Sequence, residues 1–483
     1  MIRLPVLPLA FALALSLGTL HPAAASVEVS DLIKAVRPNG PEFFGMYLLN
    51  KKVGYISTDV SINSEKDRVM ASNEFFFKAN VGSKVSERSQ KEIRTYQARP
   101  QGKLLSFRIE QKGDGGDQIL EGTSNPSGMS VVRKRPGQPN ENLSLPTSEE
   151  TVEDADQSRV ALYRHQSVQG RVIDGQDLGS YRVSTTLGKI NQLFLGGVKV
   201  KVAQTITVSE KEKVAISTFV DSAGKVVQVD FGGTLKAVAE SESVAKRLDQ
   251  VEVFGLTRIV LPSTPPVNIR RIPAQWTLVV SGLPESLQKF GYRQKFSSID
   301  ASRTKIVLTA KAPSVTKSLP VIDPEGGANL KSSIIVESDN SEIRLLAKKI
   351  VGSETDAYAA ARSVVGWVAG HMTKDYGASA DRATDVLRQM KGDCTEHSLL
   401  SVSLLRAAGI PAKRVDGLIY VMNDDGVPAL YWHEWVAAFV GQWVQMDPTF
   451  NQMVADVTHL AVGEESNAEI TPLIGQLKVL SAK

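Results

Sequence analysis

A thiol, an imidazole and a carboxylate follow one another near the C-terminal end of the chain. Cys394 is the one cysteine of the 483 residues and lies in the run Gly-Asp-Cys-Thr-Glu-His. His433 stands in Trp-His-Glu-Trp, and Asp447 opens Asp-Pro-Thr. A cysteine becomes a strong nucleophile when a histidine takes its proton and a carboxylate orients that histidine. The three residue types in this order therefore predict acyl-transfer chemistry through a covalent thioester.

The residues around the cysteine predict how it is positioned. Apolar residues surround much of the circumference of the segment 394–408, which is typical of a buried helix. Gly409 and Pro411 end this helix. Cys394 thus lies in the first turn, where unpaired amides and the helix dipole stabilise a thiolate and can hold an oxyanion. Asp393 is expected to cap the helix.

The residues after the helix predict a hairpin that carries the other two groups. Strand composition covers 431–439 and resumes over 442–447. A three-residue loop would place His433 and Asp447 on one face, about one diagonal apart across the hairpin. Three tryptophans crowd this place and are expected to exclude water or to hold substrate: Trp432, Trp435 and Trp443.

Together these segments resemble the transglutaminase-like core, a papain-like arrangement. The resemblance covers about 345–455 and is carried by Gly392-Asp393-Cys394, by Leu-Leu-Arg-Ala-Ala-Gly-Ile-Pro-Ala-Lys at 404–413, by His-Glu-Trp-Val at 433–436, and by Trp443 with Asp-Pro-Thr at 447–449. It implies Cys394 as nucleophile, His433 as general base and acid, and Asp447 as orienting carboxylate. The resemblance also implies a cysteine hydrolase or acyltransferase, of protease, amidase or transglutaminase type.

The resemblance leaves the substrate open. It favours hydrolysis of an amide in a protein, a peptide or a cell-envelope component over cross-linking, and it implies no cofactor. The family often has alanine after the histidine and glutamate shortly after the tryptophan, whereas this chain has Glu434 and Ala437. Substrate contacts are therefore expected to differ. The second oxyanion donor, which relatives supply upstream of the nucleophile, is not placed by the sequence.

Other histidines offer alternative readings of the site. His397 lies three residues after Cys394, on the same helical face, and suggests a Cys/His metal site. One cysteine without further clustered ligands argues against zinc, so no metal is expected. His397 is then a polar neighbour of the site or a packed histidine. His371 and His459 have no spaced partners and are expected at the surface.

The first 25 residues have the pattern of a secretory signal. Arg3 gives a basic start, residues 4–20 are apolar, and Ala23-Ala24-Ala25 offers a small-residue cleavage site before Ser26. No later stretch has the ~20 apolar residues of a membrane-spanning helix. The mature protein is therefore expected in a secreted or periplasmic location. One cysteine also excludes an intramolecular disulfide.

Composition is that of an ordinary globular protein, with 42% hydrophobic and 22% charged residues. The formal net charge of +4, without a basic stripe, argues against nucleic-acid binding. Oligomeric state is left open by the sequence.

The fold class that these patterns predict is α+β. An antiparallel β-rich N-terminal region, 26–262, precedes a β-rich lead-in, 268–340, and a catalytic domain, 341–483. The segment 134–158, rich in Pro, Asn, Ser and Glu, is expected to be a loop or a boundary between two related units, and the prolines of 261–267 form a linker. Alternation over 198–202 predicts a strand that turns Lys199 and Lys201 to solvent.

A non-enzymatic protein is the alternative. The β-rich N-terminal region carries no visible catalytic set and would bind a protein partner, an envelope glycan or a lipid. The C-terminal domain would then keep its fold with a buried structural thiol, which is common for a lone cysteine.

Overall fold

The computed structural model describes most of the chain from residue 31 onward. The described ranges are 31–63, 65, 67–81, 84–98, 102–113, 117–175, 177–195, 197–211, 214–263, 273–288, 293–376, 380, 382–422, 425–464 and 473–483. The expected signal peptide and most of the expected linker lie outside these residues. The chain divides into two compact units, and the main boundary falls between Val251 and Glu252.

Antiparallel strands dominate the N-terminal unit, as the sequence predicts. Its strands are β1 (Glu42–Leu48), β2 (Lys51–Asn63), β3 (Arg68–Val81), β4 (Lys84–Gln97), β5 (Leu104–Gly113), β6 (Gln118–Asn125), β7 (Gly128–Lys134), β8 (Glu141–Leu145), β9 (Val168–Ile173), β10 (Ser180–Leu195), β11 (Val198–Ser209), β12 (Ile216–Val220), β13 (Val226–Asp230) and β14 (Leu235–Glu240). Its short helices are α1 (Asp31–Lys34), α2 (Gln157–Arg164) and α3 (Glu242–Ala245), with a 3-10 turn at Val152–Asp156.

These fourteen strands form one sheet built from two meanders. Strands β1 to β8 pair in sequence order, strands β9 to β14 do the same, and β1 joins β14. The expected boundary between two related units at 134–158 stays a prediction. The expected loop is wrong, because the segment contains β8, the 3-10 turn and the start of α2. Its polar composition reflects a half-exposed edge strand and helix caps rather than irregular chain. The relatedness of the two meanders stays a prediction.

The C-terminal unit holds the remaining elements. Its strands are β15 (Ile259–Val260), β16 (Gln275–Ser281), β17 (Gln294–Ser298), β18 (Arg303–Thr309), β19 (Thr373–Lys374), β20 (Lys391–Gly392), β21 (Ala412–Met422), β22 (Pro428–Phe439), β23 (Trp443–Met446), β24 (His459–Glu464) and β25 (Lys478–Ala482). Its helices are α4 (Val253–Thr257), α5 (Ser341–Val351), α6 (Ala357–His371), α7 (Ala383–Gln389) and α8 (Cys394–Ala407), with 3-10 turns at Glu285–Leu287 and Ala328–Leu330.

Helix α8 packs at the centre of this unit. All residues from Cys394 to Leu405 are buried, as the apolar sequence predicts. Helices α5, α6 and α7 and the sheet ordered β15-β22-β21-β24 surround it, with β23 paired to β22. Gly409 has φ +78°, a conformation that favours glycine, and it ends the helix where the sequence places the end.

A second sheet of the unit is ordered β17-β18-β16-β25. Three of its strands account for the first part of the lead-in, whereas residues 310–340 contain a single 3-10 turn and no strand. Strand β15 pairs with β22, so residues 259–260 belong to the sheet of the C-terminal unit. No helix among the described residues combines the length and the apolar character needed to cross a membrane.

Candidate functional site

Helix α8 begins at Cys394 because two carboxylates close its first turn. Asp393 accepts a hydrogen bond from the amide of Thr395 (2.8 Å), and Glu396 accepts one from the amide of Asp393 (2.9 Å). This reciprocal pair satisfies amides that a helix start leaves open. Gly392 is needed beside it, since a Cβ there would lie 2.2 Å from the Cβ of Glu396. The nucleophile candidate is thereby fixed at a helix N-terminus.

A parallel two-stranded ladder holds the residues on either side of the site. Thr373 pairs with Lys391 and Lys374 with Gly392 in β19 and β20. The amide of Asp375 then donates to the carbonyl of Gly392 (3.0 Å). The chain at 373–376 is therefore tied to the residues directly before Cys394.

The hairpin of β22 and β23 brings His433 and Asp447 together. Its loop has three residues, and the register pairs Val436 with Met446. Trp435 would therefore be the cross-strand partner of Asp447, and His433 lies one diagonal away on the same face. The Nε2–H of His433 donates to Oδ2 of Asp447 at 2.8 Å. The odd-numbered hairpin loop that the sequence predicts gives this arrangement.

Cys394 contacts the same imidazole. A side-chain hydrogen bond joins the thiol to the imidazole of His433, whose Nε2 is engaged by Asp447. Burial alone would lower the pKa of His433, but the charge and hydrogen bond of Asp447, with a smaller contribution from Cys394, raise it to about 10. Burial would raise the pKa of Asp447, yet the two histidines that contact it lower that pKa well below its usual range.

A second histidine reaches the same carboxylate. Nε2 of His459 donates to Oδ2 of Asp447 at 2.9 Å, and its Nδ1 lies 3.3 Å from Oδ1 of Asp456. His459 is fully buried, so its expected surface position is wrong. The pairing of β21 with β24 carries this residue inward, and no spacing within the sequence indicates it.

The remaining oxygen of Asp447 is also occupied. Its Oδ1 accepts hydrogen bonds from the amides of Thr449 (2.7 Å) and Phe450 (3.1 Å). Two imidazoles and two amides thus hold one buried carboxylate in a single orientation. His433, Asp447 and His459 also offer ligand atoms within 4.8 Å of one another, as a cation would require. Their separations of 2.8 and 2.9 Å are those of direct hydrogen bonds, which account for the cluster.

Comparison with known proteins identifies this part of the chain. The sequence model of the transglutaminase-like superfamily matches residues 344–448. Residues 344–448 form a transglutaminase-like domain.

Proteins with some similarity to this chain come from several bacteria. An uncharacterized protein of Mycobacterium leprae is 30% identical over 95 residues, which are 19% of this chain and 34% of that protein. This chain therefore spans about a third of the length of that relative. A candidate cysteine protease from Cytophaga hutchinsonii has a TM-score of 0.31 and 16% identity, covering 47% of this chain and 84% of that one. The periplasmic domain of TgpA from Pseudomonas aeruginosa, bound to ethylmercury, has a TM-score of 0.25 and 18% identity, covering 40% and 71%.

The three tryptophans pack within and around the transglutaminase-like domain. Trp435 is fully buried, stacks near His433 (5.8 Å between ring centroids) and donates to Oε1 of Gln445 (3.1 Å). Trp432 is buried and donates to the carbonyl of Thr257 (3.2 Å). Their burial argues against the expected contact with substrate. The ring of Trp435 lies beside both His433 and His459 and supports them.

Trp443 lies elsewhere on the sheet. The ammonium of Lys413 lies 4.3 Å from the centroid of its ring, and Phe439 packs on its edge. Lys413 is in turn paired with Glu325 (3.0 Å) and Glu464 (2.7 Å). Trp443 is partly exposed beside these neighbours, so its expected contact with substrate stays a prediction.

His397 is a packed neighbour of the transglutaminase-like site. It is buried, and its Nδ1–H donates to the carbonyl of Asp393 at 2.7 Å. Burial lowers the pKa of His397, so this imidazole stays neutral at physiological pH. Its bond to the capping residue steadies the turn that carries Cys394.

The exposed rim of the site carries a cation and two aromatic side chains that the sequence analysis did not assign. Phe450 is 41% exposed, and its ring centroid lies 5.4 Å from that of His433. The ammonium of Lys374 lies 4.6 Å from the centroid of Phe450. Tyr376 is half-exposed and packs edge-on against Phe254. Burial and then the charge of Cys394 raise the pKa of Tyr376, so its hydroxyl remains a donor.

Proposed function

We propose that this protein is an exported cysteine enzyme that hydrolyses an amide bond of a protein, a peptide or a cell-envelope component. One observation carries the proposal: an unbroken hydrogen-bonded path leads from the thiol of Cys394 through His433 to Asp447. Nucleophile, base and orienting carboxylate thus stand in the order that covalent acyl transfer requires.

In the proposed reaction, the Cys394 thiolate attacks the carbonyl carbon of the amide. The carbon–nitrogen bond breaks as the His433 imidazolium passes its proton to the departing amine, leaving a thioester on the sulfur. His433, now neutral, takes a proton from water, and the resulting hydroxide equivalent attacks the thioester. The acid departs, the sulfur leaves as thiolate, and His433 is again protonated. Asp447 keeps the imidazole in one orientation and stabilises its charge throughout.

The oxyanion formed at the carbonyl needs donors. The backbone amide of Cys394, in the first turn of α8, is proposed as one source, since a helix N-terminus favours negative charge. The hydroxyl of Tyr376 is proposed as the side-chain donor. The Tyr376 hydroxyl is protonated, and the charge of Cys394 contributes to its raised pKa. The ladder of β19 and β20 also ties the segment before Tyr376 to the residues directly before Cys394.

The proposal is tested with Cys394→Ala and Cys394→Ser in the protein that begins at Ser26. Both variants should keep the wild-type thermal unfolding temperature and lose turnover of a casein and peptide-amide panel, with intact-mass detection of a covalent acyl adduct on the wild type. Because the chain has one cysteine, a thioester adduct has a single possible position. Full turnover in Cys394→Ala would refute the enzyme, and the scaffold alternative would then stand. Mass analysis of the exported protein tests cleavage after Ala25.

A further inference from the structure

The hairpin of β10 and β11 presents exposed apolar side chains at its tip. Phe194 is 70% exposed, Ile190 69% and Val198 63%. The register pairs Phe194 with Lys199 and Ile190 with Ala203. Because side chains alternate between faces along a strand, Ile190 and Phe194 lie on the same face of the hairpin as Lys199 and Lys201.

The other face of the same hairpin is anchored. Val202 is buried with Phe219 and Val227, and the partly buried side chains Leu193, Leu195 and Val200 pack against that cluster. One face thus anchors the hairpin to the N-terminal unit, whereas the face of Ile190 and Phe194 is open. An open strand face that only had to meet water would carry polar residues in place of phenylalanine and isoleucine.

The charged side chains of residues 178–209 are all positive. No aspartate or glutamate occurs from residue 178 to residue 209, whereas four cationic residues do: Arg182, Lys189, Lys199 and Lys201. Lys189, Lys199 and Lys201 are exposed, and none of the three forms an ion pair with another described residue. Lys199 and Lys201 are thus solvated strand residues, as the alternating pattern predicts, and exposed apolar side chains lie beside them.

Exposed aromatic and aliphatic side chains within a ring of lysines match the boundary between lipid headgroups and acyl chains. Such a surface is attracted to anionic lipid by its lysines and retained by its apolar residues. We propose that the tip of the β10–β11 hairpin docks the protein on a bilayer that contains anionic phospholipid. Phe194 and Ile190 enter the interface, and Lys199 and Lys201 pair with lipid phosphates.

Vesicle flotation of the protein that begins at Ser26 tests the docking. We expect binding to phosphatidylglycerol vesicles, little binding to phosphatidylcholine vesicles, and loss of binding as salt rises. Phe194→Ser and the double variant Lys199→Glu/Lys201→Glu should each weaken binding at least about tenfold. The matched controls lie on α5 of the other unit: Leu345→Ser, at 69% exposure, and Lys348→Glu/Lys349→Glu. The controls should bind as the wild type does.

Each other outcome decides against the proposal. Equal binding by the wild type and the hairpin variants would assign membrane contact to another surface. A wild type that ignores phosphatidylglycerol vesicles would overturn lipid docking outright. If the hairpin variants then lost a cross-link to an acidic protein that the wild type forms, the hairpin would be a protein-binding surface. Thermal unfolding of every variant excludes loss of the fold as the cause.

Discussion

Asp447 and His459 share a hydrogen bond of 2.9 Å in the interior of the C-terminal unit, on the carboxylate oxygen that also accepts from His433. The orienting carboxylate thus serves two imidazoles, of which one faces the thiol. His459 is fully buried and hydrogen-bonds to this carboxylate, so we assign it the role of a positioning residue.

His459→Phe should slow alkylation of Cys394 about tenfold, because a buried carboxylate that loses a donor can rotate and release His433. His459→Gln keeps an N–H donor and should recover most of the rate. Iodoacetamide labelling followed by intact mass, across pH 5 to 9, distinguishes the two variants. Equal rates for His459→Phe and His459→Gln, at equal stability, would mean that the bond to Asp447 does not position the site.

Labelling of Cys394 at pH 6 should depend on His433. Since Asp447 holds the pKa of His433 at about 10, the imidazole is protonated at this pH and places a positive charge beside the sulfur, which favours the reactive thiolate. The pKa of Asp447 is lowered, so its charge persists as well. His433→Ala should therefore slow iodoacetamide labelling at pH 6 at least about tenfold. Equal rates in the wild type and in His433→Ala, at equal stability, would contradict the ion pair.

Tyr376→Phe should separate alkylation from acyl transfer. Alkylation forms no oxyanion, so iodoacetamide should label this variant at the wild-type rate. Hydrolysis of p-nitrophenyl acetate does form one and should lose about a hundredfold in kcat with KM little changed. Phe254→Leu, which alters the packing against Tyr376 but leaves its hydroxyl, is the matched control. Unchanged kcat in Tyr376→Phe would remove this residue from the oxyanion site.

Lys374 should favour anionic reagents at Cys394. Iodoacetate carries a carboxylate where iodoacetamide carries a neutral amide. The ratio of their alkylation rates therefore reports the positive potential around the sulfur. Lys374→Met should lower this ratio by about threefold, an effect that rising salt reduces. Lys349→Met, an exposed lysine on α5, should leave the ratio unchanged. If both variants keep the wild-type ratio, the Lys374 ammonium over the Phe450 ring lies too far from the thiol to select substrates by charge.

Arg94 should be the most sensitive polar residue of the N-terminal unit. It is buried between Glu92 and Glu150 and donates to the carbonyl of Ile173 at 2.6 Å. Arg94→Met leaves two buried carboxylates without their counter-charge and should cost about 3–5 kcal/mol. Lys78→Met breaks an exposed pair with Glu87 and should cost under about 1 kcal/mol.

Urea unfolding shows in which of the two units Arg94→Met lowers the free energy of unfolding. All five tryptophans lie beyond residue 251, so their fluorescence follows the C-terminal unit alone. Circular dichroism follows the strands of both units. Arg94→Met should shift the dichroism transition to lower urea relative to Lys78→Met. Coincident transitions in the two variants would mean that the buried ion pairs do not hold this unit together.

Local sequence rules predict much of the site. The cap at Asp393, the apolar circumference of α8 and Gly409 determine the helix that starts at Cys394. The three-residue loop determines the parity that brings His433 to Asp447. Both arguments involve residues a few positions apart, where backbone geometry alone decides the outcome.

Long-range pairing accounts for what the sequence did not predict. His459 enters the site because β24 lies beside β21, a contact that no local pattern specifies. The same sheet buries Trp435, since Gly417 leaves room for its ring where any Cβ would meet it at 2.6 Å. The sequence alone does not distinguish a tryptophan that is buried beneath the site from one that is exposed to substrate.

Strand β1 pairs with β2 on one edge and with β14 on the other. Strand β2 follows β1 directly in the sequence, whereas β14 is the last strand of the N-terminal unit. During synthesis, β2 is made at once, whereas the second edge of β1 stays open until residues 235–240 leave the ribosome. Contacts this far apart close slowly, and an open edge is a template for wrong partners. A nascent chain halted before residue 235 therefore exposes an aggregation-prone edge. Chaperones that bind nascent chains should consequently be needed most while the N-terminal unit is being synthesised.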